Sequence, residues 1–220
     1  MRRAQGYVLY QGPSRLNGEP IVAIATMRTA NVKTGNMVQT WILTAEASPE
    51  QAVKTGADEA VCGSCPHRHF LNGGCYVVPF QAPRAVWESW RRGLYREALE
   101  PEAFKGMRVR LGSYGDPAAV PAEVWQEMLK YAEASTGYTH QVHRREFQQE
   151  LLTRLMVSAD TPAAALKAHA EGLRTFRVKA QGDPLLPGEV MCATETDPYT
   201  DCSRCLLCSG ARQGGPSVAI

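Results

Sequence analysis

The run Ile21 to Thr26 is apolar and rich in β-branched residues, and Met37 to Thr44 (Met-Val-Gln-Thr-Trp-Ile-Leu-Thr) repeats that character, so both predict strands. Tyr7 to Tyr10 is a shorter strand-like run closed by Gly12-Pro13. The polar stretch Thr29 to Asn36 between the first two strands contains Lys33-Thr34-Gly35. It lacks the glycine spacing of a phosphate-binding loop and reads as a solvated turn. Ser48-Pro49-Glu50 supplies a cap, a first-turn proline and an early carboxylate, which predicts a short helix ending near Gly56. Pro83 to about Leu99 predicts a longer helix, with Val86, Trp87, Trp90 and Leu94 on one face, and that face makes both tryptophans candidates for the core.

Beyond this point strand and helix patterns alternate over short connections. Met107 to Gly112, Tyr138 to Val142, Leu155 to Ser158, Thr175 to Lys179 and Glu189 to Cys192 predict strands. Pro121 to Ala134, a stretch around Glu146 to Thr153, and Thr161-Pro162 to Gly172 predict helices. The alternation favours parallel strands wrapped by helices. With the strand at Met37 there are six such units, so the expected class is α/β, a partial (open) β/α barrel, with a doubly wound sheet as the alternative. Residues 1–190 form the expected barrel domain and residues 191–220 a cysteine-rich metal-binding tail. In barrels the loops after the strands carry the chemistry. Here those are the Cys62 loop, the Gly112 loop, Ser158 to Asp160 and the Cys192 tail.

Composition narrows the function classes. Of 220 residues, 44% are hydrophobic and 21% charged, as in ordinary globular domains, so a sizeable core is expected. A net charge of +2 gives no general attraction to nucleic acid or anionic membrane. The basic start Met1-Arg2-Arg3-Ala4-Gln5-Gly6 precedes an apolar run too brief for a signal peptide, and no stretch reaches the length of a membrane span. The expected place is the cytoplasm, where clustered cysteines mean metal or catalysis.

The seven cysteines fall into two sets. Cys192, Cys202, Cys205 and Cys208 follow C-x9-C-x2-C-x2-C, a spacing that resembles ferredoxin-type loops around a 4Fe-4S cluster and that a four-cysteine zinc site also tolerates. Cys62-Gly-Ser-Cys65 is followed after nine residues by Cys75-Tyr76, in a loop holding Pro66, His67 and His69. Three thiolates suit a cluster with one open iron, whereas a structural zinc ion would need His67 or His69 to complete its shell.

Other residues carry lesser signals. Ser158 and Asp160 follow a strand, where they would bind a ribose or begin the helix at Pro162. Arg177 and Lys179 alternate on a strand and would face a carboxylate, a phosphate or solvent. His140 is either a proton carrier or a structural histidine. Asp116, between Gly115 and Pro117 at a strand end, is a candidate catalytic carboxylate, with a turn or cap as the plain alternative.

Three features in order, the three-cysteine loop ending in Cys75-Tyr76, the strand end Gly112-Ser113-Tyr114-Gly115-Asp116-Pro117 and the cysteine-rich tail, resemble the partial barrel of radical S-adenosylmethionine enzymes. The resemblance implies that Cys62, Cys65 and Cys75 hold a 4Fe-4S cluster, that S-adenosylmethionine binds its open iron, and that Gly115, Asp116 and Pro117 stand where the family binds the cofactor's amino group. The family's usual spacing is C-x3-C-x2-C and its usual turn carries Glu, where this chain has C-x2-C-x9-C and Asp116. From Gly12-Pro13-Ser14 through the Cys205 region the chain also resembles an uncharacterised group of phage and prophage proteins, which implies action in the host cytoplasm. The leading expectation is a radical-SAM-like iron-sulfur enzyme acting on an unidentified small molecule, with a nucleotide or nucleic-acid base as the candidate class. The alternatives are a zinc-containing barrel that modifies or exchanges a base, with Asp116 as nucleophile or base, and a non-catalytic zinc protein that binds nucleic acid or a host protein.

Overall fold

Strand β2 (Pro20–Thr26) buries every residue from Ile21 to Ala25, as expected of a strand covered on both faces. It pairs antiparallel with β1 (Gly6–Pro13) on one side and with β3 (Val38–Thr44) on the other. The computed structural model describes residues 6–220, so the basic start at Met1 to Gln5 lies outside the described residues. From β3 onward every strand pairing is parallel: β4 (Arg108–Tyr114) joins β3, and β5 (Ala134–Thr136) joins β4. A second sheet has the order β6 (Tyr138–Thr139), β7 (Met156–Ala159), β8 (Thr175–Arg177), β10 (Ser217–Ala219), β9 (Glu189–Met191).

Gly137 alone separates β5 from β6, so one short segment is the last strand of the first sheet and the first strand of the second. A Cβ at Gly137 would lie 2.6 Å from the Leu155 side chain and 2.9 Å from that of Leu111, and only glycine lets the segment pass between them. The fold is therefore mixed α/β, with two parallel-rich sheets and no closed barrel. Among the described residues no helix is long and apolar enough to cross a membrane.

The crossovers carry the helices. Between β3 and β4 run α1 (Pro49–Thr55), α2 (Glu59–Cys62) and α3 (Ala82–Arg91). α1 starts on a reciprocal Ser48–Gln51 capping box and stops at Gly56, as its sequence predicts. α3 is shorter than expected. The chain leaves it at Gly93 (φ +67°), and Arg96 then bonds to β1 through Val8 N–H to Arg96 O (2.8 Å) and Arg96 N–H to Gly6 O (3.0 Å). Trp87 and Trp90 are half-buried, with Arg91 lying over both rings, and the indole that fills the core is Trp125 on α4 (Ala122–Leu129). α4 also stops early, because Glu133 N–H turns to Met107 O (2.9 Å) and opens β5.

The stretch around Glu146 is irregular apart from a 3-10 turn at Gln149–Thr153, and α5 (Pro162–Ala170) is capped by Thr161. The C-terminal residues are woven into the second sheet. β10 lies between β8 and β9, with Val218 and Ala219 in the core, so the chain has no sheet boundary at residue 190.

Candidate metal centres

The first cysteine loop is shaped by a buried ion pair. Arg68 grips the Asp58 carboxylate through bonds of 2.7 and 3.2 Å and donates to the carbonyls of Gly56 (2.9 Å) and Gly63 (3.1 Å). Both side chains are almost fully shielded from solvent, so the pair holds the loop from below. Cys75 returns to the start of the loop, its N–H donating to His67 O (3.0 Å). Burial, followed by the Asp58 carboxylate and the Cys65 and Cys75 sulfurs, pushes the Cys62 thiol well above its ordinary range. Burial likewise raises Cys75, against a backbone N–H from Val77 that lowers it. The thiols thus share one neighbourhood that keeps Cys62 and Cys75 protonated, and a bound cation would be needed to stabilise the set together as thiolates.

The ends of three parallel strands close over this loop. After β4, Gly115 (φ +81°) packs so tightly that a Cβ would lie 2.8 Å from Ile42, and Asp116 N–H donates to Val61 O (2.6 Å) on α2. The Asp116 side chain is buried. One oxygen accepts from Ala118 N–H (3.0 Å), and the other accepts from His140 N–H (2.8 Å) and from the Gln141 amide (3.4 Å). Burial raises its pKa, and hydrogen bonds from the Ala118 and His140 N–H groups and the Thr139 hydroxyl oppose the rise. Asp116 is thus a cap that also fixes residues 140 and 141. Gln141, fully buried, donates to Cys62 O (3.1 Å) and accepts from Ser64 N–H (3.2 Å), which binds the strand end to the cysteine loop.

His140 continues β6 and Asp160 continues β7. One Asp160 oxygen meets His67 Nε2 at 2.7 Å and His140 Nε2 at 3.2 Å. Burial works against a charged His140, but hydrogen bonds to Asp160 and Cys65 outweigh it and hold its pKa at about 10. The same contact with His140, ahead of the opposing burial, lowers Asp160. His69 instead bonds to Val77 O (2.8 Å). Ser158 stands half-buried in β7, two positions before Asp160.

The second set converges elsewhere. Cys192 follows β9 and precedes the short helix α6 (Ala193–Thr196), its N–H donating to Ala219 O (2.7 Å) on β10. Cys202 and Cys205 bracket α7 (Cys202–Cys205), which is docked on the Lys33 turn by Cys202 N–H to Lys33 O (3.0 Å) and Ser203 N–H to Thr34 O (3.2 Å). All four cysteines line one pocket together with Thr136, Tyr138, Leu207 and Val218. Burial pushes the Cys208 thiol up to about 11, against a hydrogen bond from Tyr138 and the charge of Arg110. The Arg110 guanidinium lies 4.1 Å from the Tyr138 ring centroid. Arg174 ties the loop down through the carbonyls of Leu207 (2.5 Å), Gly210 (3.1 Å) and Pro216 (2.8 Å).

Spacing separates the kinds of metal that these sets suit. A tetrahedral zinc ion with Zn–S bonds of about 2.3 Å brings its sulfurs within about 3.8 Å of each other. Among the described residues, the group whose ligand atoms all lie within 4.8 Å of one another is His67, His140 and Asp160, not a cysteine trio. A cubane cluster binds each thiolate through a different iron and so accepts a wider set. Two buried hydroxyls bear on the same question. Of the three buried hydroxyls without a hydrogen-bond partner among the described residues, Tyr114 Oη, Ser135 Oγ and Thr136 Oγ1, they are the first and the last. The groups acting on Tyr114 include Cys62 and Cys75, and Thr136 lines the pocket of the second set. Each cysteine set thus has beside it one buried donor without an acceptor, a position that a cluster or thiolate sulfur would satisfy.

The residues predicted from sequence divide in two. Cys62, Cys65, Cys75, Gly115, Asp116, Pro117 and Asp160 come together at the strand ends, and the four later cysteines form their own centre. Arg177 has its carboxylate within the protein, a two-pronged bond to Glu189 at 2.6 and 2.8 Å. Gln141, Tyr114, Tyr138, Arg110 and the Asp58–Arg68 pair were not foreseen. For Tyr138 the available signal was its alternate spacing with Thr136 and His140, which puts the three on one strand face. Comparison with protein-family models, curated proteins and solved structures finds no match to this chain.

Proposed function

We propose that the chain is an iron-sulfur enzyme of radical-SAM-like type, built on a partial barrel whose open end carries the first cysteine set. The carrying observation is the gathering of Cys62, Cys65 and Cys75 in one neighbourhood at the C-terminal ends of β4, β6 and β7 beside the Gly115 turn. Cys62, Cys65 and Cys75 would hold a 4Fe-4S cluster with one open iron, and the four later cysteines a second cluster. With S-adenosylmethionine bound, such a centre supplies one electron to break a carbon-sulfur bond and yield a carbon radical.

The chain's own residues set the surroundings of that chemistry. Tyr114 has a buried, unpartnered hydroxyl with Cys62 and Cys75 among the groups acting on it, Gln141 and Arg68 keep the loop from opening, and Gly115 lets the strand end approach α2 closely. His67, His140 and Asp160 form the polar wall beside Cys65, the place for a ligand's hydrogen-bonding groups. Asp116 acts by position, holding the His140 backbone.

The test is metal and sulfide analysis of protein prepared without oxygen. Brown protein with about eight irons per chain for two cubanes, and S-adenosylmethionine cleavage on reduction, are the expected results. Colourless protein holding only zinc overturns the reading. One observation favours a second reading. His67, His140 and Asp160 have the spacing of a two-histidine, one-carboxylate site for a single divalent ion, and metal-bearing protein free of iron that loses its ion in His140→Ala would establish it.

A further inference from the structure

Four arginines are buried among the described residues, and three of them are satisfied within the protein. Arg68 has the Asp58 carboxylate, Arg177 has that of Glu189, and Arg174 has three backbone carbonyls. Arg110 on β4 is the exception. Its guanidinium lies 4.1 Å from the Tyr138 ring centroid, and the groups that act to hold its charge are the Tyr138 and Tyr76 phenols and the Cys208 thiol, with no carboxylate among them. A buried charge without an opposite partner is strongly destabilising, so an anion belongs beside it.

The fold shows where that anion lies. Arg110 pairs across the strands with Thr136, which lines the pocket of the second cysteine set. Two positions earlier on the same face of β4, Arg108 donates to the carbonyl of Ser203, between Cys202 and Cys205. Tyr138, against the guanidinium, lines the pocket and packs with Cys208 in one small core. No acidic residue lines the pocket. Burial raises the Cys202 thiol and the Arg110 charge is the first of the groups that oppose it; on Cys208 that charge acts in the same sense, after the Tyr138 hydroxyl. With 7% of its surface exposed and the Tyr138 ring across it, Arg110 is closed to an anion from solvent.

We propose that Arg110 is the counter-ion of the second centre: the four cysteines bind metal as thiolates in a complex of net negative charge, and the Arg110 guanidinium neutralises it from the neighbouring strand. A divalent ion on four thiolates is a dianion, which a small apolar pocket holds only against a fixed cation. The proposal rests on the later cysteines binding metal, whichever metal that is, and asks nothing of the first centre. It makes metal and Arg110 mutually dependent, since each removes the other's uncompensated charge.

The experiment titrates cobalt(II) into the full chain freed of metal and follows sulfur-to-cobalt charge-transfer absorption, with Cys202→Ser/Cys205→Ser protein as the blank for the second set. Arg110→Met is expected to weaken binding at the second set by about tenfold or more, and Arg110→Lys, which restores the charge, to recover part of the loss. Thermal unfolding gives a second readout. Arg110→Met should unfold at a higher temperature than the native chain when both are metal-free, because an unpaired buried charge is gone, and at a lower one when both are loaded. Unchanged affinity in Arg110→Met, a loss that Arg110→Lys does not reduce, or a fall in unfolding temperature at least as large without metal as with it overturns the counter-ion role while leaving both metal centres standing. Absorption equal in the native chain and the Cys202→Ser/Cys205→Ser blank shows that the second set takes no metal, and overturns the reading beneath the proposal as well.

Discussion

The two cysteine centres are held in opposite ways. The first hangs on side chains: Arg68 on Asp58 beneath the loop, Gln141 across it, Asp116 behind it, and His67, His140 and Asp160 along its open side. The second is docked by backbone, through α7 on the Lys33 turn and Cys192 on β10, and clamped by two arginines, Arg174 on the Leu207, Gly210 and Pro216 carbonyls and Arg108 on that of Ser203, with Tyr138, Leu207 and Val218 lining its pocket. A loop ringed by polar side chains at the strand ends is placed to meet a ligand. A small, largely apolar pocket built against the sheet is placed to brace the fold. Substitutions should therefore separate the two centres.

The largest effect is expected at the buried pairs. Arg68→Ala leaves Asp58 as an uncompensated buried charge, at a cost of about 4 kcal/mol, and should empty the first centre while the second keeps its metal. Thermal unfolding together with metal counting checks it, and equal loss from both centres would break the comparison. Glu189→Gln strands Arg177 in the same manner in the second sheet, at about 3 kcal/mol, and should spare the first centre instead.

The same pair gives a pH signature. Burial works to raise the Glu189 pKa, but Arg177 and the Leu186 N–H outweigh it and hold the carboxylate below its ordinary value. The folded state therefore gains stability from Glu189 at pH above the unfolded pKa, and that gain is lost as pH falls through the lowered folded value. Urea midpoints measured from neutral pH into the acid range should fall for the native chain, and fall less steeply in Glu189→Gln.

A smaller effect tests the orphaned hydroxyl. In metal-free protein Tyr114→Phe removes a buried group that lacks a partner, so stability should rise by about 1 kcal/mol. If metal loading brings a sulfur within reach of this hydroxyl, the gain should vanish or reverse. Paired denaturant titrations of the two forms check it, and an equal gain in both would show that Tyr114 does not serve the centre.

How far the residues announced this arrangement depends on the range of each interaction. β2, β3, α1 and α5 were legible because their signals are local: β-branched runs, Ser48-Pro49, Thr161-Pro162. The overlong reading of α3 failed because Arg96 finds its partner in β1, about ninety positions away, and the helix yields to that pairing. β10 was missed since three residues after Gly214-Gly215-Pro216 carry no periodicity, and only the slot between β8 and β9 makes them a strand. The cysteine sets were visible from spacing alone. Their supports were not, because Asp160 reads as a helix-start residue until the fold sets His67 beside it, and Gln141 has no signature until Cys62 O lies within reach.

The smallest effect concerns the Lys33 turn, which showed no chemistry in sequence and serves as the seat of α7. Lys33 Nζ lies 2.6 Å from Glu195 with both side chains about half exposed, so the pair is screened and Lys33→Ala should cost no more than about 0.5 kcal/mol. The docking itself uses the carbonyls of Lys33 and Thr34, which any residue supplies, and Gly35, where a Cβ would fall 2.5 Å from the Asp201 side chain. Lys33→Ala should therefore keep the metal content of the second centre within error of the native protein, as measured after identical loading. If that content fell by half or more, the Lys33–Glu195 ion pair rather than the Lys33 and Thr34 carbonyls would be docking α7, and the backbone docking that sets this centre apart from the first would not survive.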